Sequence, residues 1–175
     1  MTDAYSQRVR AETLGWIEDF VVGLGLCPFA KAPLDAGALR IEVTDCDDPR
    51  ELLVLLDEAI ARVLRAPAEV IETSVLVHPE CLTDFADYND FLADVDGLLE
   101  ARELVGEVQI ASFHPDYCFG DAEPDDPANA TNRSPHPMLH ILREASVSRA
   151  VDEHPDVSAI PARNVALLRA RAREI

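Results

Sequence analysis

Apolar residues recur near helical spacing over residues about 4–25. Val9, Ile17, Phe20, Val21 and Leu24 fall on one stripe with Trp16 beside it, which predicts an amphipathic helix. Gly23 and Gly25 weaken its last turn. Pro28 stops it, because proline lacks an N–H and disfavours helix in the residue before it. Residues 28–38 hold two prolines and Gly37 and read as a loop. The alternation of Leu39–Thr44 then predicts a strand. Pro49 to about Arg65 reads as a helix, with Asp48 as its cap and Pro49 at its first position. Val70–Val77 predicts a second strand. Asp84 to about Arg102 predicts a helix with Phe85, Tyr88, Phe91, Leu92, Val95, Leu98 and Leu99 on its apolar side. Val105–Phe113 predicts a third strand. Residues 114–136 are irregular, Met138 to about Glu153 reads as a helix, and Pro161–Arg173 as a final one.

That order, α-β-α-β-α-β-α-α, predicts an α/β fold. Right-handed crossovers make its small sheet mostly parallel and flanked by helices, with a mixed sheet left open. A length of 175 residues suits a single layered domain over residues 1–175. Two predicted strand ends echo each other: His78-Pro79-Glu80-Cys81 and His114-Pro115-Asp116-Tyr117-Cys118. In a parallel sheet both exits lie on one edge, the edge outside which ligands bind. The plainer role of His-Pro is to terminate a strand.

Charge narrows the partners. The net charge is −18, and a polyanion needs a cationic surface, so nucleic acid is not an expected partner. No apolar run approaches a membrane span and no leader is visible, so a soluble, cytoplasmic protein is expected. Cys27, Cys46, Cys81 and Cys118 form no CxxC pair and are expected to be free thiols.

The 114–136 segment points most strongly to function, because structureless loops this long are uncommon in compact domains. It opens on His114 and closes on Asn132-Arg133-Ser134. Arg133 offers a planar fork suited to a carboxylate or phosphate, and the helix predicted to start at Pro137-Met138 would add N–H groups for an anion. Arg133 is equally suited to neutralising Asp125 and Asp126. His136 and His140 are spaced to share a helix face and hold a metal, although His136 sits between two prolines. Cys27, in Cys27-Pro28-Phe29, is a candidate nucleophile, redox thiol or metal ligand. A position at a helix C-terminus gives it the wrong dipole for a thiolate, and a small buried turn residue is the structural alternative. No Walker loop, dinucleotide fingerprint, calcium loop or nucleophile elbow is present.

The stretches GLGLCPFAK, QIASFHPDY and ATNRSPHPMLHILREASVSRAV, together with the VHP strand end, resemble a bacterial family of uncharacterised proteins, domain of unknown function 1415, over roughly residues 8–155. By position the resemblance marks Cys27, Pro28, Phe29, His114, Pro115, Asn132, Arg133, Ser134, Pro135, His140 and Arg143. It names no reaction, metal or cofactor. The leading expectation is an enzyme acting on a small anionic molecule. Cys27 and His114 would be catalytic, and Asn132, Arg133, Ser134, His140 and Arg143 would bind the substrate, so that Cys27, His114 and Arg133 converge on one pocket. A haem- or metal-binding redox protein and a non-catalytic binding or assembly module are the alternatives.

Overall fold

Four strands carry the fold in the computed structural model, which describes residues 3–173: β1 (Leu39–Val43), β2 (Thr73–Val77), β3 (Val108–Phe113) and β4 (Met138–Arg143). They form one mixed sheet in the order β1-β2-β4-β3. β1 and β2 are parallel, and β4 runs antiparallel to both its neighbours. The helices α3 (Pro49–Arg65) and α4 (Phe85–Ala101) connect β1 to β2 and β2 to β3. Asp48 and Asp84 cap them: Asp48 accepts from the Arg50 N–H, and Asp84 from the N–H groups of Ala86 and Asp87.

The fourth strand replaces the start of a helix expected from Met138. Leu139 and Ile141 are fully buried on one face of β4, while Met138 is buried on the other. A strand covered on both faces reads as an unbroken apolar run, which periodicity alone does not separate from a buried helix. The helix α5 begins only at Glu144 and ends at Glu153.

Both crossover helices lie on one face of the sheet. There Leu76, Leu139, Ile141 and Val108 pack with Leu52, Leu56 and Ile60 of α3 and Tyr88, Phe91 and Val95 of α4. The other face is covered by the chain's two ends. α1 (Asp3–Gly15) continues into a π-helical stretch, Trp16–Val22, and Val9 and Ile17 pack on Ile41, Val75, Val77 and Met138. The widened turns show in hydrogen bonds five residues apart, Gly23 N–H to Glu18 C=O at 2.9 Å and Leu26 N–H to Val21 C=O at 2.8 Å. Gly23 is needed by a close approach, since a Cβ there would meet the Asp19 carbonyl oxygen at 2.2 Å. After the short α2 (Lys31–Asp35) the chain enters β1, and α6 (Ile160–Ala172) closes the fold.

The β2 and β3 exits lie on one edge, as the His-Pro echo suggests. Val77 and Phe113 both pair with Met138, which brings His78 and His114 to either side of β4. Both imidazoles are fully buried and pack against Tyr88, with ring centroids 5.8 and 5.1 Å away. The Tyr88 hydroxyl donates to the Met138 carbonyl at 2.8 Å and accepts from the Phe113 N–H at 3.1 Å, so it ties together the last rung of the β3–β4 ladder.

Tyr88→Phe removes both of those buried hydrogen bonds from the end of the ladder. A loss of about 2–3 kcal/mol of stability is expected, read from urea denaturation. His78 gives a pH signature. Burial pushes its pKa down from 6.5 to about 4, so between those values the unfolded chain takes up a proton that the folded chain refuses. Its contribution is intact above pH 6.5 and is eroded as pH falls toward 4, by on the order of 3 kcal/mol. His78→Asn, whose amide nitrogen takes the place of Nδ1 and can still donate to the Cys81 carbonyl, should flatten the stability–pH slope in that window by about one proton. An unchanged slope in denaturation midpoints would contradict the assignment.

Candidate functional site

The half-covered face of the sheet holds a cavity of about 610 Å3. Its floor is the strand face that carries Thr73, Val75, Ala111, Met138 and His140, side chains brought into line by the strand register. Trp16, Ile17 and Val21 of the π-helical stretch make one wall. Cys27, Phe29 and Pro33 make the second, and Val147 and Ala150 of α5 the third. No residue of α5 is buried, because its apolar stripe looks into this space and not onto packed protein. On the solvent side Arg149, 58% exposed, pairs with Glu72 at 3.0 Å.

Cys27 opens a tight turn in which the Ala30 N–H reaches its carbonyl at 3.3 Å. The chain then enters α2, so the peptide N–H groups of Phe29 and Ala30 face the sulfur and favour the thiolate. Burial outweighs them and raises the thiol pKa. Two side chains of α6 fix the turn from outside: Asn164, itself buried, donates to the Leu26 carbonyl at 2.6 Å, and Arg163 donates to the Gly25 carbonyl.

His140 stands on the cavity floor. Its Nε2 lies 2.6 Å from the Thr73 hydroxyl, which in turn donates to the Ile141 carbonyl at 2.8 Å. Burial pushes its pKa down to about 4, so it is neutral at pH 7. Among the described residues its Nδ1 has no hydrogen-bond partner. Among the described residues His78 Nε2 is the sealed side-chain atom left unsatisfied, so His140 Nδ1 remains open to the cavity its ring lines.

The other residues singled out in the sequence lie elsewhere. His114 uses both ring nitrogens inside the protein: Nε2–H donates to the Leu82 carbonyl at 3.2 Å and Nδ1 accepts the Asp116 N–H at 3.0 Å. Burial lowers its pKa. Arg133 donates to the carbonyls of Tyr117 at 3.0 Å and Pro124 at 2.6 Å, clamping the 114–136 loop. Asp126, one of the two acids considered for Arg133, pairs with Arg169 of α6 at 2.5 Å. Asn132 donates to the Ser112 carbonyl at 3.2 Å, and the Ser134 hydroxyl donates to the His136 carbonyl at 2.7 Å. Arg143 sits at the cavity's rim, but its guanidinium donates to the carbonyls of Val63, Ala66 and Ile71, where it caps the end of α3.

Cys27 and His140 therefore share a cavity, and His114 and Arg133 do not join them. The helix N-terminus expected at Pro137-Met138 is the start of a strand, so it supplies no anion site. His136 and His140 do not share a helix face: His136 Nε2 pairs with Glu12 of α1 at 2.7 Å, away from the Thr73–His140 contact. Among the described residues no group of three His, Cys, Asp or Glu side chains is arranged to hold a metal ion. Trp16, Thr73 and the apolar face of α5 were not singled out from the sequence. Thr73 and Ser74 are the two polar residues that open β2 ahead of Val75–Val77, and they were the available signal for one of them.

No helix among the described residues is long and apolar enough to cross a membrane. No curated protein and no solved structure matches the chain. A family model does match, over residues 8–174, and the chain belongs to that family, whose description is Protein of unknown function (DUF1415).

Proposed function

We propose that this protein binds a small, uncharged, mainly apolar molecule in the cavity on the half-covered sheet face, with Cys27 and His140 as the polar groups that touch it. One observation carries the reading: residues 113 positions apart in the chain, a thiol and an imidazole with an open Nδ1, line the same apolar space of about 610 Å3. Ligand sites of this kind are concave and apolar with a few convergent polar groups. The π-helical wall adds support, since such stretches recur at functional sites.

The charges favour an uncharged ligand over the anionic one expected from the sequence. Arg133 and Arg143 are engaged by backbone carbonyls, and Arg149 is paired with Glu72. The net charge of −18 adds a field that repels anions. The chemistry on offer at pH 7 is that of a neutral thiol and a neutral imidazole.

Trp16 is the chain's single tryptophan and lines the cavity, so its fluorescence reports on occupancy. Titration with p-xylene should shift or quench Trp16 emission saturably. Ala111→Phe puts a ring into the cavity from its floor; it should abolish that response without lowering Tm, because it fills space that protein leaves empty. A wild-type chain indifferent to p-xylene would defeat the reading. Cys27 is expected to react with iodoacetamide at pH 7 at least about tenfold more slowly than free cysteine, since its thiolate is disfavoured. Peptide mass analysis separates it from Cys118, and p-xylene should slow it further.

A further inference from the structure

The Thr73–His140 pair fixes more than a ring position. Thr73 Oγ1 has two neighbours, the Ile141 carbonyl oxygen at 2.8 Å and His140 Nε2 at 2.6 Å, and one proton to give. A carbonyl oxygen cannot donate. Two oxygens 2.8 Å apart repel unless a proton lies between them, so the hydroxyl proton belongs to the Ile141 contact. The hydroxyl must then accept at its other contact, and His140 must carry its proton on Nε2. The remaining nitrogen, Nδ1, is a bare acceptor facing the cavity. Because the ring stays neutral at pH 7, the acceptor is not converted to a donor there. Thr73 is held in place by its own strand: it pairs in register with Leu142 and is almost fully buried.

We propose that Thr73 is a positioning residue that locks His140 as the Nε2–H tautomer, and that the cavity's ligand is an uncharged ring compound bearing a hydroxyl or N–H group that donates to His140 Nδ1. This rests on the cavity being a ligand site and adds the polarity of the ligand. A carboxylate is refused twice: it has no proton to give, and no free cation on the cavity lining meets it, with Arg143 bound to carbonyls and Arg149 to Glu72. A carbonyl or ether of the same shape fills the space but leaves Nδ1 unpaired, which a desolvated acceptor penalises. The aromatic lining, Trp16 and Phe113 with their rings 5.4 Å apart and edge to face, suits a flat ring body.

Calorimetric titration with three probes of one shape tests this: 2-naphthol, which is uncharged at pH 7 and donates; 2-methoxynaphthalene, which cannot donate; and 2-naphthoate, which is anionic. 2-Naphthol should bind at least about fivefold more tightly than either of the others. Thr73→Ser should keep that preference. Thr73→Val, which can neither accept from Nε2–H nor hold the tautomer, should reduce it to less than about twofold while 2-methoxynaphthalene binding stays the same. Side-chain 15N spectra, with His140 assigned through His140→Gln, should show a protonated Nε2 and an unprotonated Nδ1 in the wild-type chain, and this readout needs no ligand. Equal or tighter binding of 2-methoxynaphthalene or 2-naphthoate overturns the assigned polarity and leaves the cavity reading standing. A protonated Nδ1 in the spectra does the same. Failure of all three probes to bind overturns both.

Discussion

The placement of both crossover helices on the same face of the sheet is the constraint from which the rest of the structure follows. α3 and α4 bury Leu76, Leu139 and Ile141 completely or nearly so, and that side is closed. The two central strands also carry apolar side chains on their other face, so the sheet needs a second cover. Segments before β1 and after β4 supply it. α1 and its π-helical extension close the part over Ile41, Val75 and Val77, and α5 stands over the rest without packing down. The cavity is the space between these covers, and its position at the sheet's centre comes from topology, before any particular side chain is considered.

A second theme is how much polar side-chain capacity goes to the backbone of irregular segments. Buried carbonyl groups need donors, and loops do not supply their own. Arg133, Asn129 and Asn132 donate to carbonyls in or beside the 114–136 loop, and Arg143 gathers carbonyls at the end of α3. The long loop is thus an internally bonded structure, tied to α6 through Asp126 and Arg169. The donors of Arg133, Asn132 and Arg143, which have the chemistry of an anion site, thus have carbonyl partners within the fold.

The sequence was most legible where a local rule acts alone. The capped helices α3 and α4 follow from Asp48, Pro49 and Asp84, and the shared edge of His78 and His114 follows from strand direction. It was least legible where the deciding partner is distant in the chain. Met138–Arg143 carries apolar residues on both faces, and only the neighbouring strands make it a strand. Cys27 was placed at the wrong end of a helix dipole because the turn that aims Phe29 and Ala30 N–H groups at its sulfur is not visible in the order of residue types. The role of His140 depends on Thr73, 67 residues earlier, and no spacing rule connects them.

The π-helical stretch has a mechanical meaning. α1 is pinned near its start by Tyr5 to Glu80 and near its end by Glu12 to His136, and the chain beyond Val22 is pinned by Asn164 and Arg163 to Leu26 and Gly25. An α-helix between these anchors would turn about 100° per residue, and a π-turn takes up one extra residue per turn. The stretch therefore acts as a slack coupling between two fixed supports, absorbing a length mismatch that would otherwise twist Trp16 and Ile17 off the sheet. Loss of a single residue between Trp16 and Val22 would be a change of phase and not merely of length: the wall would rotate while both anchors stayed where they are.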